Sequence, residues 1–310
     1  CAFSGGLAVL GTDGMHIFKM SGKEQSVTPL TYHSPSIAGS KKTVAAYDRG
    51  GKNFTVFDNK KVLMKKDVES PIININMNPS GAFAIVTEGL DCKALVTVYN
   101  AKLKEIYKLY SAEEFIIDAV VTNDAKKMAT LAFSAGSGEF AGYISFYDLG
   151  EDKPFANVAL PDCMPISARF NTSGELAVLC EDRAIFFDSG GKKIREQSFN
   201  GLSIADASLA SQKHIAVLLS EYTVGGYAKL MLADEDEKDT KTIDFSEDIL
   251  GVSSAGNYTA VLFYNKIEVY NSDGTLYNRF NLDFSASSCI MREDGTVLAI
   301  GVNCAGLLIP

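Results

Sequence analysis

Side chains able to do proton, metal or anion chemistry are few and scattered in this chain of 310 residues. The three histidines are His16, His33 and His214. His16 and His214 lie in or beside apolar runs, where an imidazole is ordinarily packed rather than poised as a base. No serine sits in a GxSxG elbow, no HExxH offers zinc ligands and no phosphate loop is present. The six cysteines include no CxxC pair, and no Cys/His cluster has zinc spacing. The sequence thus implies no metal, no cofactor and no assigned catalytic residue.

Three polar arrangements remain. The first is Tyr47-Asp48-Arg49-Gly50-Gly51-Lys52, the YDRGG box. Its glycines permit a tight turn with positive φ that holds Asp48 and Arg49 close together. Asp48 then either accepts backbone N–H bonds while Arg49 braces a neighbouring element, or the two present themselves to a ligand. The second is a pair of glycine-bearing segments, SAGSGEFAG from Ser134 and SEYTVGG from Ser220, whose aromatics Phe140 and Tyr222 suit adaptable recognition loops. The third is a set of short polar residues amid Ile, Val and Ala: Asn74, Asp118, Ser167, Asp206 and Ser288.

What must position these groups is a repeated β element. An apolar or β-branched residue, an aromatic, then Asp or Asn recurs at Val56-Phe57-Asp58, Val98-Tyr99-Asn100, Phe146-Tyr147-Asp148, Phe186-Phe187-Asp188 and Val269-Tyr270-Asn271. A repeat of this kind marks a repeat architecture. Between the phrases, runs of four to eight residues rich in Val, Ile, Phe and Tyr alternate with turn clusters, and no window sustains helical periodicity. The runs group in fours, A to D. The fifth unit is clearest: PISARF from Pro165, ELAVLC from Glu175, RAIFFD from Arg183 and KIREQSF from Lys193.

A strands are expected to begin near Ser34, Ser70, Phe115, Pro165, Ser203, Ile249 and Ser287, a spacing of roughly 35 to 50 residues that matches propeller blades. The chain reads as all-β, one β-propeller domain over 1–310 with four-stranded antiparallel blades. Eight blades place every strand, the first lacking a clear A and the last lacking D; seven is the alternative. In such a fold the A strands line the axis. The five short polar residues would then form a column, either sealed by local bonds and water or open as a wet channel.

Hydrophobic residues make up 46% of the chain, enough for a large core, and the net charge of −9 argues against nucleic acid as a partner. The run Asp234-Glu235-Asp236-Glu237-Lys238-Asp239 reads as a solvated hairpin tip. No stretch approaches the apolar length of a membrane span, so this portion is not expected to insert. Cys180 and Cys289 lie in apolar strands as core residues. Cys1 and Cys304 stand at the chain ends, where a ring would allow a bridge if their Cα spacing permits. Cys1 also fits a lipid-anchored processed terminus, or an arbitrary boundary with sequence missing upstream.

The aromatic-Asp phrase resembles the end of strand C in WD-repeat and quinoprotein-type propellers. The chain has no Trp, unlike the Trp-Asp pairs of the former and the tryptophan-docking repeats of the latter. The YDRGG box, preceded by GLAVLGTDGMHIF and followed by NPSGAFAIVTE and VTVYN, is similar to an uncharacterised bacterial family of propeller domains. That resemblance implies an extracytoplasmic propeller, anchored to the cell membrane by an N-terminal helix absent from this chain. It assigns no activity. The expected function is a non-catalytic binding or scaffold module, a monomer, meeting a protein, peptide or cell-envelope polymer through the loop-end residues Asp48, Arg49, Phe140 and Tyr222. The alternative is a hydrolase or lyase acting on a saccharide or lactone, with Asp118 and Asp206 as its acids.

Overall fold

The computed structural model describes residues 1–3, 6–136, 139–221, 228–234 and 240–310. Among them every regular element is a β-strand. The strands form eight antiparallel sheets, each made of strands consecutive in the chain, seven with four strands and the last with three. These are propeller blades, and the count is the expected eight. Their A strands begin at Pro35, Ile72, Phe115, Pro165, Ser203, Ile249 and Ala286, close to the turn-based boundaries. The first blade does possess an A strand, Ala2–Phe3, paired with Gly6–Leu10. Two residues are too few to carry a readable alternation, which is why the pattern missed it. The last blade ends on Ala305–Leu308 without a D strand.

Contacts divide the chain into two units, Cys1–Gly174 and Glu175–Pro310. Within the first, the packing rule shows at the third blade. Phe83 and Ile85 on strand B face the second blade, meeting Phe54, Val56 and Tyr47. Ala84 and Val86, the alternating residues of the same strand, face Ile116, Ala119 and Val121 of the fourth. The strand period of two sends successive side chains to opposite faces, and both faces are covered. Strand Phe83–Glu88 is accordingly buried until its last residue. The second unit repeats the arrangement. Val217 and Leu219 pack toward the fifth blade's Ala177 and Phe186, whereas Ala216 and Leu218 meet Val261 and Phe263 of the seventh.

The recurrent aromatic-Asp phrase now has a physical cause. Its aromatic enters the core: Phe57, Tyr99, Phe187 and Tyr270 are all buried. Its Asp or Asn then closes the C–D turn. Asp58 Oδ1 accepts the N–H of Lys60 and Lys61, both at 2.7 Å. Asn100 Oδ1 accepts those of Lys102 at 3.0 Å and Lys104 at 3.1 Å. Asp188 does the same for Gly190 and Lys192, both at 2.9 Å. A short side chain thereby satisfies two turn amides that no strand can reach.

The segment from Ser134 is not a loop as expected. Strands Lys127–Gly136 and Glu139–Asp148 extend as a long hairpin, with Ser134 opposite Ala141 and Ala135 opposite Phe140. Its glycines and serines read as turn residues, yet the ladder continues through Ser134, Gly136 and Gly142. The side chain of Phe140 lies outside the described residues, as do Tyr222 and the acidic run from Glu235. The cysteines are thiols, with no disulfide among the described residues. Cys180 is fully buried, and Cys289 is partly so.

Replacing Asp188 by Ala should cost about 1–2 kcal/mol in urea unfolding, because two turn amides lose their acceptor. Asp188→Asn keeps the acceptor and should change stability by less than about 0.5 kcal/mol.

Candidate functional site

The YDRGG box is the B–C turn of the second blade, between strands Val44–Asp48 and Asn53–Phe57. Gly50 has φ of 79°, the left-handed conformation a tight turn requires. Gly51 lies against the Asp48 carboxylate, where a Cβ would collide with Oδ2. Asp48 is buried, and its Oδ1 accepts the N–H of His33 at 2.9 Å and Ser34 at 2.8 Å. Its role is to fix the chain entering the second blade. His33 adds a ring nitrogen 3.6 Å from Oδ2 but is 96% exposed, so that contact contributes little.

The turn also grips the next blade. Gly50 donates to Ile72 O at 2.8 Å, and Ile72 N–H donates to Gly51 O at 2.7 Å. Arg49 is exposed, and its Nε donates to Ile73 O at 3.1 Å. Its Nε is thus committed to the third blade, while the residue as a whole stays exposed and its charge acts on Asp118 and Tyr47. The bracing reading of Arg49 therefore has a bond behind it, the one from Nε to the neighbouring blade.

Beneath Arg49 lies a chain of polar groups. Tyr47 Oη donates to Asn74 Oδ1 at 2.9 Å, and Asn74 Nδ2 donates to Asp118 Oδ1 at 2.8 Å. Three blades are linked by these two bonds. Asp118 Oδ1 also accepts its neighbour Ala119 N–H at 2.9 Å, while Asn76 Nδ2 lies 3.3 Å from Oδ2. Asp118 is only 4% exposed. Burial pushes its carboxyl up to about 6, against the opposing pull of Ala119, Asn74, Asn76 and the Arg49 charge.

The register explains why these residues share a level. In the third blade Ile72 and Asn74 oppose consecutive residues of strand B, leaving Ile73 as a bulge. The same one-residue bulge precedes Asp118, Asp206 and Ser288. Each polar residue immediately follows the extra residue, which re-aims it. In the second unit Asp206 Oδ1 accepts Ala207 N–H and Oδ2 accepts Val252 N–H of the next blade, both at 2.8 Å. Ser288 is exposed and Ser167 half-buried. Asn74, Asp118, Asp206 and Ser288 thus occupy the same register position, each within its own blade, and Asp118 and Asp206 accept donors of their own and neighbouring blades.

Sequence reasoning missed Tyr47 and Asn76 as members of this network. Asn76 was visible in the alternation of IININMN, which places Asn74, Asn76 and Asn78 on one face of a strand. The histidines behave as packed or paired groups. His214 is buried, with Nε2 at 2.7 Å from Thr259 Oγ1 of the next blade. His16 lies between Glu24 Oε1 at 2.7 Å and Asp13 Oδ1 at 3.0 Å. Hydrogen bonds donated by the ring to Glu24 and Asp13 raise its pKa and favour the imidazolium.

Because the native carboxyl of Asp118 holds its proton more tightly than the unfolded one, unfolding releases a proton between about pH 4 and 6. Stability from this group is full below that window and is lost as pH rises through it. The loss is on the order of 3 kcal/mol for a shift of about two pKa units. Asp118→Asn should abolish that slope in urea unfolding across the window, becoming more stable than the parent near neutrality. Arg49→Ala should move the Asp118 titration, followed by carboxyl carbon NMR, to higher pH.

Comparison with solved structures gives the same fold. The C-terminal WD40 domain of Sif2 superposes with a TM-score of 0.67 at 13% identity, covering 99% of this chain and 93% of that one. The RRP9 WD40 repeats superpose with a TM-score of 0.58 at 9% identity, covering 87% of this chain and 88% of that one. No curated protein matches the chain. A family model does, over residues 1–305, and the chain belongs to that family of unknown function, DUF5711.

Proposed function

We propose that this chain is a non-catalytic binding or scaffold module of a bacterial cell envelope, held outside the cytoplasm by an anchor preceding it. Its partner is a protein, peptide or envelope polymer that meets the blade end carrying the YDRGG turn. The observation that carries this reading is the division of labour around Arg49. Asp48 and Asp118 are buried acceptors whose bonds fix the blades, whereas Arg49 is an exposed residue anchored to that support through Nε. A fork of donors held by a single pinned edge suits bidentate capture of a carboxylate or phosphate on a partner. The bacterial setting and the anchor rest on the family resemblance of the box.

The hydrolytic reading draws support from one feature, the raised carboxyl of Asp118, which is what a general acid needs. Its burial and its amide partners weigh the other way, since a proton donor must reach the substrate.

Immobilised protein exposed to a solubilised envelope fraction should retain a defined partner, and Arg49→Ala should reduce recovery about tenfold with the fold intact. Retention indifferent to Arg49, or none at all, would sink the proposal. A phosphatase that matures only outside the cytoplasm, fused after Pro310 of the full-length protein, should be active. Turnover of a glycoside or lactone that Asp118→Asn abolishes would instead establish the enzyme.

A further inference from the structure

A trough of about 640 Å³ lies in the first unit, between the outer strand of the second blade and the outer half of the third. On one side run Lys66 to Ser70. On the other is one face of the third blade's C–D hairpin, from the Tyr99–Glu105 pair to the Leu95–Tyr110 pair, closed at one end by the B–C loop Gly89–Cys92. With the strand rise of about 3.4 Å per residue, the four steps from Leu95 to Tyr99 give this face a length of about 14 Å, the span of about five extended residues. The Gly89–Cys92 loop stands at the same blade end as the YDRGG turn, where Lys52 Nζ donates to Glu69 O at 2.8 Å.

Its charge is unbalanced in one direction. Lys66 and Lys108 are both directed at Glu105, at 3.8 and 3.3 Å, and Lys66 also donates to Tyr99 Oη at 2.7 Å. Asp67 accepts Asn53 Nδ2 at 2.5 Å. Lys93, the cation of the B–C loop, lies 4.6 Å from the centre of the Phe115 ring. Among the described residues, the exposed carboxylates of Glu69, Glu88 and Asp91 are left without a cation. Beside them Leu90 is 73% exposed and Tyr110 66%, large apolar groups that folding alone leaves in water.

We propose that this trough docks an extended, lysine- or arginine-bearing segment of a partner protein. Its cations meet Glu69, Glu88 and Asp91, and its apolar side chains cover Leu90 and Tyr110. An alternating cationic and apolar strand fits, because successive side chains of an extended segment project to opposite sides. The inference rests on reading the chain as a binding module and adds the chemistry of what is bound.

Fluorescence anisotropy with two labelled ten-residue peptides, one alternating Lys and Leu and the other Glu and Leu, tests it on the intact chain. The Lys peptide should bind at least about tenfold more tightly than the Glu peptide, and its affinity should fall with added salt. The combined change Glu69→Gln, Glu88→Gln and Asp91→Asn should weaken it about tenfold. A control removing equal charge elsewhere in the unit, Glu113→Gln, Glu151→Gln and Asp162→Asn, should weaken it less than about twofold. Tyr110→Ala should weaken binding with all charges kept. Equal losses in the two triple variants would reveal general attraction to an acidic protein and overturn the proposal, as would equal binding of the two peptides. Arg49-dependent capture without a trough-dependent peptide would discard this inference alone and leave the binding module standing.

Discussion

Each sheet of this protein is apolar on both faces, and no sheet contains the material to cover itself. The consequence is visible along one strand, where Phe83 packs toward one neighbour and Ala84 toward the other. Each apolar cluster accordingly draws its residues from two adjoining blades, as with Val217 and Ala216 in the second unit. Burial of this kind is non-directional and would tolerate blades sliding on one another. Directional bonds between inner strands of adjoining blades remove that freedom by fixing the stagger. Tyr47 to Asn74 to Asp118 does so in the first unit, and Asp206 to the amide of Val252 in the second.

The β-bulge makes this stitching feasible. A regular A strand would send every second side chain into one interface, leaving no position from which a short polar group could reach across. One extra residue ahead of Asn74, Asp118, Asp206 and Ser288 rotates the following side chain into a new direction. Asp118 carries the electrostatic cost of that placement, since a carboxylate taken out of water holds its proton to about pH 6. The same burial that raises its pKa removes it from contact with a partner. The surface around it is left to Arg49 and to the trough flanking the third blade. The groups proposed for recognition thus stand on a frame in which Asp48, Asn74 and Asp118 already have hydrogen-bond partners.

Much of the fold was legible because its determinants are local. The C–D turns announce themselves through residues such as Asp188, whose carboxylate reaches amides two and four positions along. Leu176–Cys180 and Arg183–Phe187 are short apolar runs between turn residues, and such runs fix strand and boundary together. Ala2–Phe3 escaped notice because it is shorter than any pattern, and the hairpin through Ser134 and Ala141 because small residues signal turn and extended ladder alike. The site was only partly legible. Asp48 and Arg49 stood out, but whether each faced inward or outward did not.

Sequence alone determined the β class and the repeat, favoured eight blades over seven, and picked out Asn74, Asp118, Asp206 and Ser288, which share a register position each in its own blade. Those features follow from side-chain period and turn chemistry, which act over a few residues. Tertiary structure decided that Asp48 ties down the chain at Ser34, that Asn74 hands its amide to Asp118, and that Glu69, Glu88 and Asp91 flank one trough. Each of those facts joins groups from separate strands, and most join separate blades. Which groups meet depends on the twist and stagger with which whole sheets settle against each other, a quantity that no short stretch of residues encodes.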